Sequence, residues 1–279
     1  MTGAMRRTTT STAALAFAVA CGCAIAQSDE NSEADLAKKL SNPIAAMISI
    51  PFQLNYDDRI GPVDDGHKGY MNFQPVVPHS LSEDWNVITR VILPVVFDQA
   101  DIFPGAGSQS GLGDITASLF FSPVKPTEGG WIWGAGPVFY IPTATDDLLG
   151  AKKWGLGPTA VFLRQAHGWT YGALVNHIES VASVHGGNDE RPDISSTYLQ
   201  PFLAYTTKAA WTYSANLEAT YDWETNQWAV PLNLSIAKLV RIGKLPMSFT
   251  AGAGYWTEHT DTGPKEWRYR FVVTLLLPH

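Results

Sequence analysis

Cysteine is nearly absent from this 279-residue chain, and its two cysteines, Cys21 and Cys23, stand close to the N-terminus. Beyond them there is none, which excludes a disulfide-stapled domain, a thiol nucleophile and a thiolate-bound metal. Long apolar runs are missing too. After the first 26 residues no run of 18 apolar residues occurs, so no helix is built to cross a membrane. Basic charge is scarce: 19 Lys+Arg face 26 Asp+Glu, a formal net charge of −7. A chain of that sign is not a nucleic-acid binder.

The N-terminus carries an export address. Arg6 and Arg7 form a basic region, Thr12 to Ala20 (TAALAFAVA) a short apolar one, and Ala24-Ile25-Ala26 a small-x-small cleavage site before Gln27. That is the anatomy of a signal peptide over residues 1–26. Lipidation at Cys21 or Cys23 fits less well, because Ala18 and Ala20 replace the large aliphatic residue usual three places upstream. Cleavage removes both cysteines and two arginines, so Lys+Arg falls to 17 and the net charge becomes −9.

Aromatic residues, in contrast, are abundant: ten Trp, ten Tyr and twelve Phe in a chain with a mean hydropathy of −0.04. The apolar surface must therefore lie in alternating strands. A short helix is expected at Glu33 to Leu40, with Ser32 and Asp35 spaced as a capping box, inside an N-terminal segment covering 27–43. After Asn42-Pro43 the period is two almost to the end. Ile44 to Tyr56, Trp85 to Val95, Ile115 to Pro123, Trp131 to Ile141, Trp169 to Val175, Trp228 to Ile236, Leu245 to Tyr255 and Trp267 to Leu277 all alternate. Weaker alternation marks Tyr70 to Val77, Leu156 to Gln165 and Ser195 to Thr206. The clearest case is WTYSANLEATYDW, Trp211 to Trp223, apolar at every odd position and polar at every even one. Together these give about twelve strands over 44–279.

The connections alternate as well. Longer ones (Asp57 to Lys68, Asp98 to Gly111, Thr143 to Gly155, Val184 to Asp193, Thr257 to Glu266) take turns with shorter ones, only the brief link after Trp223 breaking the rule, and both termini fall on the short side. This is the outer-membrane barrel pattern. A secreted β-sandwich also alternates, but the rings decide between them. Trp211 and Trp223 are twelve residues apart, which at about 3.3 Å per residue and a tilt of 40–45° places them roughly 28–30 Å apart along a barrel axis. Tyr213 and Tyr221 stand about 20 Å apart by the same reckoning, so the rings bracket an apolar belt. The expected fold is all-β: a single antiparallel transmembrane barrel of about twelve strands, preceded by the short helix. In-strand prolines (Pro51, Pro75, Pro94, Pro137, Pro158, Pro201, Pro231) cannot donate to a ladder. Either bulges absorb them, or they open a lateral gap in the wall, which continuous pairing past Pro137, Pro201 and Pro231 would rule out.

The series NPIAAMISIPFQLNY (Asn42 to Tyr56), NFQPVVP (Asn72 to Pro78), GLGDI (Gly111 to Ile115), WGAGPVFYIPT (Trp133 to Thr143) and QPFLAY (Gln200 to Tyr205) resembles a bacterial family of outer-membrane proteins labelled transporter-like, or MetA-pathway of phenol degradation. The resemblance runs from about Asp35 to the end, including the leucine-rich Leu275 to His279. It implies a barrel concerned with uptake of aromatic compounds and carries over no catalytic or ligand residues.

Strand parity nominates the lumen. Arg268 and Arg270 point inward, as do Arg90, Asp114, Asn216, Glu218 and Asp222, and Arg164 if its weaker strand keeps register. Opposite charges across one lumen either create a transverse field that selects solutes or pair to stabilise a narrow interior. Trp211, Tyr213, Tyr221, Trp223, Trp267 and Tyr269 are expected at the membrane interfaces. His177 faces outward next to Asn176, and its predicted outward neighbours (Thr159, Val161, Leu163, Thr197, Leu199) include no serine, so it reads as an interfacial histidine. GLGDI leads into a strand and is a turn, not a phosphate loop. No enzyme activity, cofactor or metal is expected. The expected partners are the outer-membrane bilayer, the barrel assembly machinery and a small, hydrophobic or aromatic solute that the barrel would pass. A structural or adhesive barrel with a plugged lumen is the first alternative, and an outer-membrane lipid-acting enzyme the second.

Overall fold

In a computed structural model, described over residues 33–184 and 191–277, the two-residue period becomes a single closed wall. The signal peptide, the capping Ser32 and both cysteines lie outside the described residues. Fifteen strand segments form the wall: β1 (Ile48–Ile60), β2 (Gly66–Phe73), β3 (Val76–Ser80), β4 (Trp85–Ala100), β5 (Gln109–Leu112), β6 (Ile115–Pro123), β7 (Trp131–Ile141), β8 (Lys153–Ala166), β9 (Trp169–Ser183), β10 (Ser195–Thr206), β11 (Trp211–Leu217), β12 (Ala219–Asp222), β13 (Gln227–Ile242), β14 (Leu245–Glu258) and β15 (Glu266–Leu277). β2/β3, β5/β6 and β11/β12 are each one interrupted stave, so the fifteen segments make twelve staves. Each pairs antiparallel with its sequence neighbours, and β15 closes on β1 from Ile48↔Leu277 to Asp57↔Arg268. Closure leaves no sheet edge, the condition for spanning a bilayer with strands.

Turns of 81–84, 124–130, 167–168, 207–210 and 243–244 lie at the end where the described chain begins and finishes, called the terminal end; the loops 61–65, 101–108, 142–152, 223–226 and 259–265 lie at the other. The loops 61–65, 101–108, 142–152 and 259–265 are shorter than the sequence suggested, because the strands beside them run past the lipid-facing alternation.

The outer face is greasy with aromatic ends. Trp85 meets Trp133, Trp131 meets Tyr171, and Trp169 meets Tyr205, with centroids 4.8–6.0 Å apart at the terminal end. Lys238 lies 5.5 Å over the Trp211 ring there. Tyr221 with Trp223 and Trp228, and Tyr255 with Trp267, form the corresponding belt at the loop end. Between the belts Leu232, Leu234, Ile236 and Phe271 are exposed. In water such a face would be an aggregation surface; in lipid it is the wall.

The proline question resolves in favour of a closed wall. Pro137 lies opposite Pro158 within the β7–β8 ladder, the β6–β7 ladder skips Pro137 and Gly136 and resumes in the same register, β9–β10 keeps one register through Pro201↔Ala173, and Pro231 passes with one bulge against β14. The lateral gap raised as an alternative is not found. Strand one also differs from expectation. Ile44 and Ala46 precede β1, and the Asn42 side chain accepts the Ile44 amide at 3.0 Å, turning the chain before the strand begins.

Candidate functional site within the barrel

The lumen is filled in three levels. At the terminal end, the helix formed by residues 33–40 packs Ala37 against Ala210, Leu239 and Leu276, with Leu36, Leu40 and Met47 around them. Gln165 Nε2 of the wall donates to the Lys38 carbonyl at 2.7 Å, satisfying one of the carbonyls that a helix end leaves open. The chain then turns inward and buries Ile44 among Val76, Ile88, Phe120, Val161, Leu163 and Leu174. Ile132, Tyr198 and Phe202 pack on the same cluster. Residues 33–47 therefore form a plug, and the inner wall it touches on β3, β4, β6, β8 and β9 is apolar.

The middle level is a layer of paired charges. Arg268 donates to Asp57 through Nε (2.7 Å) and Nη2 (3.0 Å), and through Nη1 to Glu218 (3.0 Å). Arg270 donates to both oxygens of Glu218 at 2.7 and 2.9 Å and to Asn55 at 2.9 Å. Trp256 Nε1 donates to Asp57 at 3.0 Å, and its ring lies 4.4 Å from the Arg268 guanidinium. These side chains fit because β14 places Gly252 opposite Arg270 and Gly254 opposite Arg268; a Cβ on Gly254 would run into Asn233 Oδ1. Two arginines and two carboxylates balance within the layer. Arg90, also inward, lies outside that balance and donates to Gln74 Oε1 at 3.1 Å.

On either side of the charges the lumen opens. A cavity of about 300 Å³ faces the plug, bordered by Ser49, Gln74, Arg90, Gln200, Asn216 and Thr274. A chamber of about 640 Å³ faces the loops, bordered by Asp57, Lys68, Tyr70, Gln99 and Phe103. The charged layer lies between these two spaces, and the plug covers the first of them.

Of the residues proposed from sequence, Arg90, Asn216, Glu218, Arg268 and Arg270 come together here. Asn216 accepts from Asn233 at 2.9 Å. Three do not join them. Asp114 faces in but is consumed by the 142–152 loop, accepting from Tyr140, Ala144 and Ala151 at 3.0, 2.9 and 2.6 Å. Asp222 sits at the rim and caps the β12–β13 turn through Glu224 and Thr225. Arg164 is on the outer face beside Trp131 and Tyr171, because on β8 the odd residues Thr159, Val161 and Leu163 point inward. Both faces of β8 are apolar, so alternation there carried no parity. Asp57 and Tyr70 were missed, since each fell in or beside a predicted loop. The interface aromatics Trp211, Tyr213, Trp223, Trp267 and Tyr269 are exposed on the outer face, and Tyr221 is half-buried beside Trp223 and Trp228.

His177 faces out, with Nδ1 2.9 Å from Thr197 Oγ1 and Nε2 2.8 Å from Glu179 Oε1. This joins a hydroxyl, an imidazole and a carboxylate. Trp223 Nε1, however, donates to the same Thr197 oxygen at 2.9 Å, and Thr197 is embedded between β9 and β12 at His177 and Tyr221. Ser195 Oγ donates to the same Glu179 oxygen at 2.7 Å, so the cluster ties the neighbouring strands β9 and β10 together. Among the described residues no three His, Cys, Asp or Glu stand together as a metal site.

Wall and belts define a closed twelve-stranded antiparallel β-barrel of the outer-membrane type. Among solved structures the chain is similar to an outer membrane channel from Pseudomonas putida F1, with a TM-score of 0.64 at 14% identity over 83% of this chain and 96% of that one. It is also similar to the NanC porin, with a TM-score of 0.50 at 7% identity over 82% of this chain and 100% of that one. At such identities the likeness is one of fold. No protein-family model and no curated relative matches the sequence, so the phenol-degradation label rests on the motif series alone.

Proposed function

We propose that the protein is an outer-membrane channel for small solutes with an apolar body, kept closed by its own N-terminal segment. The carrying observation is the apolar inner wall around Ile44. A lumen meant only to be plugged by ion pairs, or to pass hydrated ions, has no use for Val76, Ile88, Phe120, Val161, Leu163 and Leu174 facing inward. Burying Ile44 there contributes about 1.5–3 kcal/mol, and a solute of similar polarity could take its place. The helix is held by a small apolar contact and one side-chain hydrogen bond, which suits an element that leaves and returns. In this reading the aromatic belts set the barrel in the outer membrane, with the plug on the periplasmic side.

Uptake by liposomes carrying the purified chain tests this. An apolar solute such as toluene dissolves through lipid unaided, so the informative probes are weakly lipid-soluble aromatics such as benzamide against a sugar of similar size. Faster entry of the aromatic than of the sugar is expected. Equal entry of both would refute the apolar preference, and entry of neither would favour a structural barrel.

A further inference from the structure

Arg90 stands where the two halves of the lumen meet. Its ladder partner on β3 is Val76, and Ile88 precedes it by two residues on the same inner face of β4. Both belong to the apolar wall. On its other side lies the charge layer, whose arginines are saturated by Asp57 and Glu218. Arg90 shares neither carboxylate at salt-bridge distance; among the described residues its guanidinium makes one hydrogen bond, to the Gln74 carboxamide. A guanidinium has five N–H donors in a rigid fork matched to a carboxylate. It borders the 300 Å³ cavity together with Gln200, Asn216 and Phe202, so a ligand entering that space meets the guanidinium.

We propose that Arg90 is the receptor for the anionic end of an amphipathic monocarboxylate, whose aromatic or aliphatic body lies on the wall that Ile44 now covers. The assignment rests on the channel reading above and narrows its substrate class. Val76 and Ile88 fix the distance: a ligand whose carboxylate meets the fork has its first carbons against those two side chains. The body then reaches Phe120 and Leu163 only by displacing Ile44. Occupancy of the site and release of the plug are one event, so the ligand opens its own path. Inorganic anions can satisfy the fork but have no body to displace Ile44.

The test uses the full-length protein in detergent, checked for a heat-modifiable folded band, with radiolabelled benzoate and benzamide in equilibrium dialysis. Benzamide keeps the ring and replaces the carboxylate with a neutral group. Benzoate should bind at least about tenfold more tightly than benzamide, the value of a charge-assisted pair. In Arg90→Gln that preference should vanish while benzamide binding stays, and Arg90→Lys should keep part of it. Equal binding of the two probes by the native protein, or an unchanged preference in Arg90→Gln, would overturn the assignment. Liposome flux separates this from the channel reading. Benzoate bound with its preference intact but never transported keeps the receptor and refutes the channel. Transport with no dependence on Arg90 keeps the channel and refutes the receptor.

Discussion

Neutralising Glu218 should open an electrostatic fault in the middle of the barrel. Its side chain is 17% exposed and receives three N–H bonds, one from Arg268 and two from Arg270, whose side chains are 7% and 10% exposed. In Glu218→Gln only Asp57 remains as a carboxylate in the layer, and Arg270 loses its sole charged partner there. Removing one member of a buried pair costs about 3–5 kcal/mol. The layer keeps a little exposure, so a loss near about 3 kcal/mol is the expectation. Urea unfolding of the protein in lipid vesicles, followed by the heat-modifiable band, gives the number. The double variant Glu218→Gln/Arg270→Met removes the stranded cation with its partner and should recover most of the loss, a coupling that distinguishes pairing from general damage. A Glu218→Gln protein within about 0.5 kcal/mol of the native one would refute the network as a structural element.

Other outcomes follow from the same geometry. Arg268→Ala with Arg270→Ala leaves Asp57 and Glu218 without their partners, so the lumen should turn toward cation selectivity in a planar bilayer; unchanged selectivity would remove these residues from the conduction path. Leu234, 59% exposed and midway between the belts, should cost about 2–4 kcal/mol as Leu234→Arg, whereas Arg164→Ala beside Trp131 should leave both folding and conductance intact. Equal stability of Leu234→Arg and native protein in vesicles would place that face away from lipid. At the loop rim, the Lys153 ammonium first, and then the Ser180 hydroxyl, hold Asp193 below the ordinary carboxylate range. A depressed carboxylate supports the fold above its unfolded value and loses that support as pH falls through the folded one, so the Lys153–Asp193 tether persists at neutral pH and releases only in strong acid. An NMR titration of the Asp193 carboxylate at or above the free-aspartate value would contradict this.

Much of the wall was legible because lipid imposes a pattern on sequence. Trp211 to Trp223 announced its two faces, and the register with β13 runs unchanged from Trp211↔Lys238 to Asp222↔Gln227 across the break at Glu218. The same parity put Arg268 and Arg270 inside. It failed where the lumen itself is apolar. Val161 and Leu163 face in while Phe162 faces out, and two greasy faces give no alternation to read. Ile44 misled for a related reason. It continues the spacing of β1, yet the Asn42 turn takes it into the lumen instead of the wall. The pairing of Asp57 with Arg268, 211 positions apart, arises from closure of the first stave on the last, which no local signal encodes.

Single-channel conductance of two shortened chains tests the central claim most directly, that residues 33–47 are a displaceable plug. One begins at Asn42 and lacks the helix; the other begins at Met47 and lacks Ile44 as well. The account predicts a rise in conductance for the first and a larger rise for the second, with the folded band retained in both. Two folded barrels conducting no better than the complete chain would contradict it.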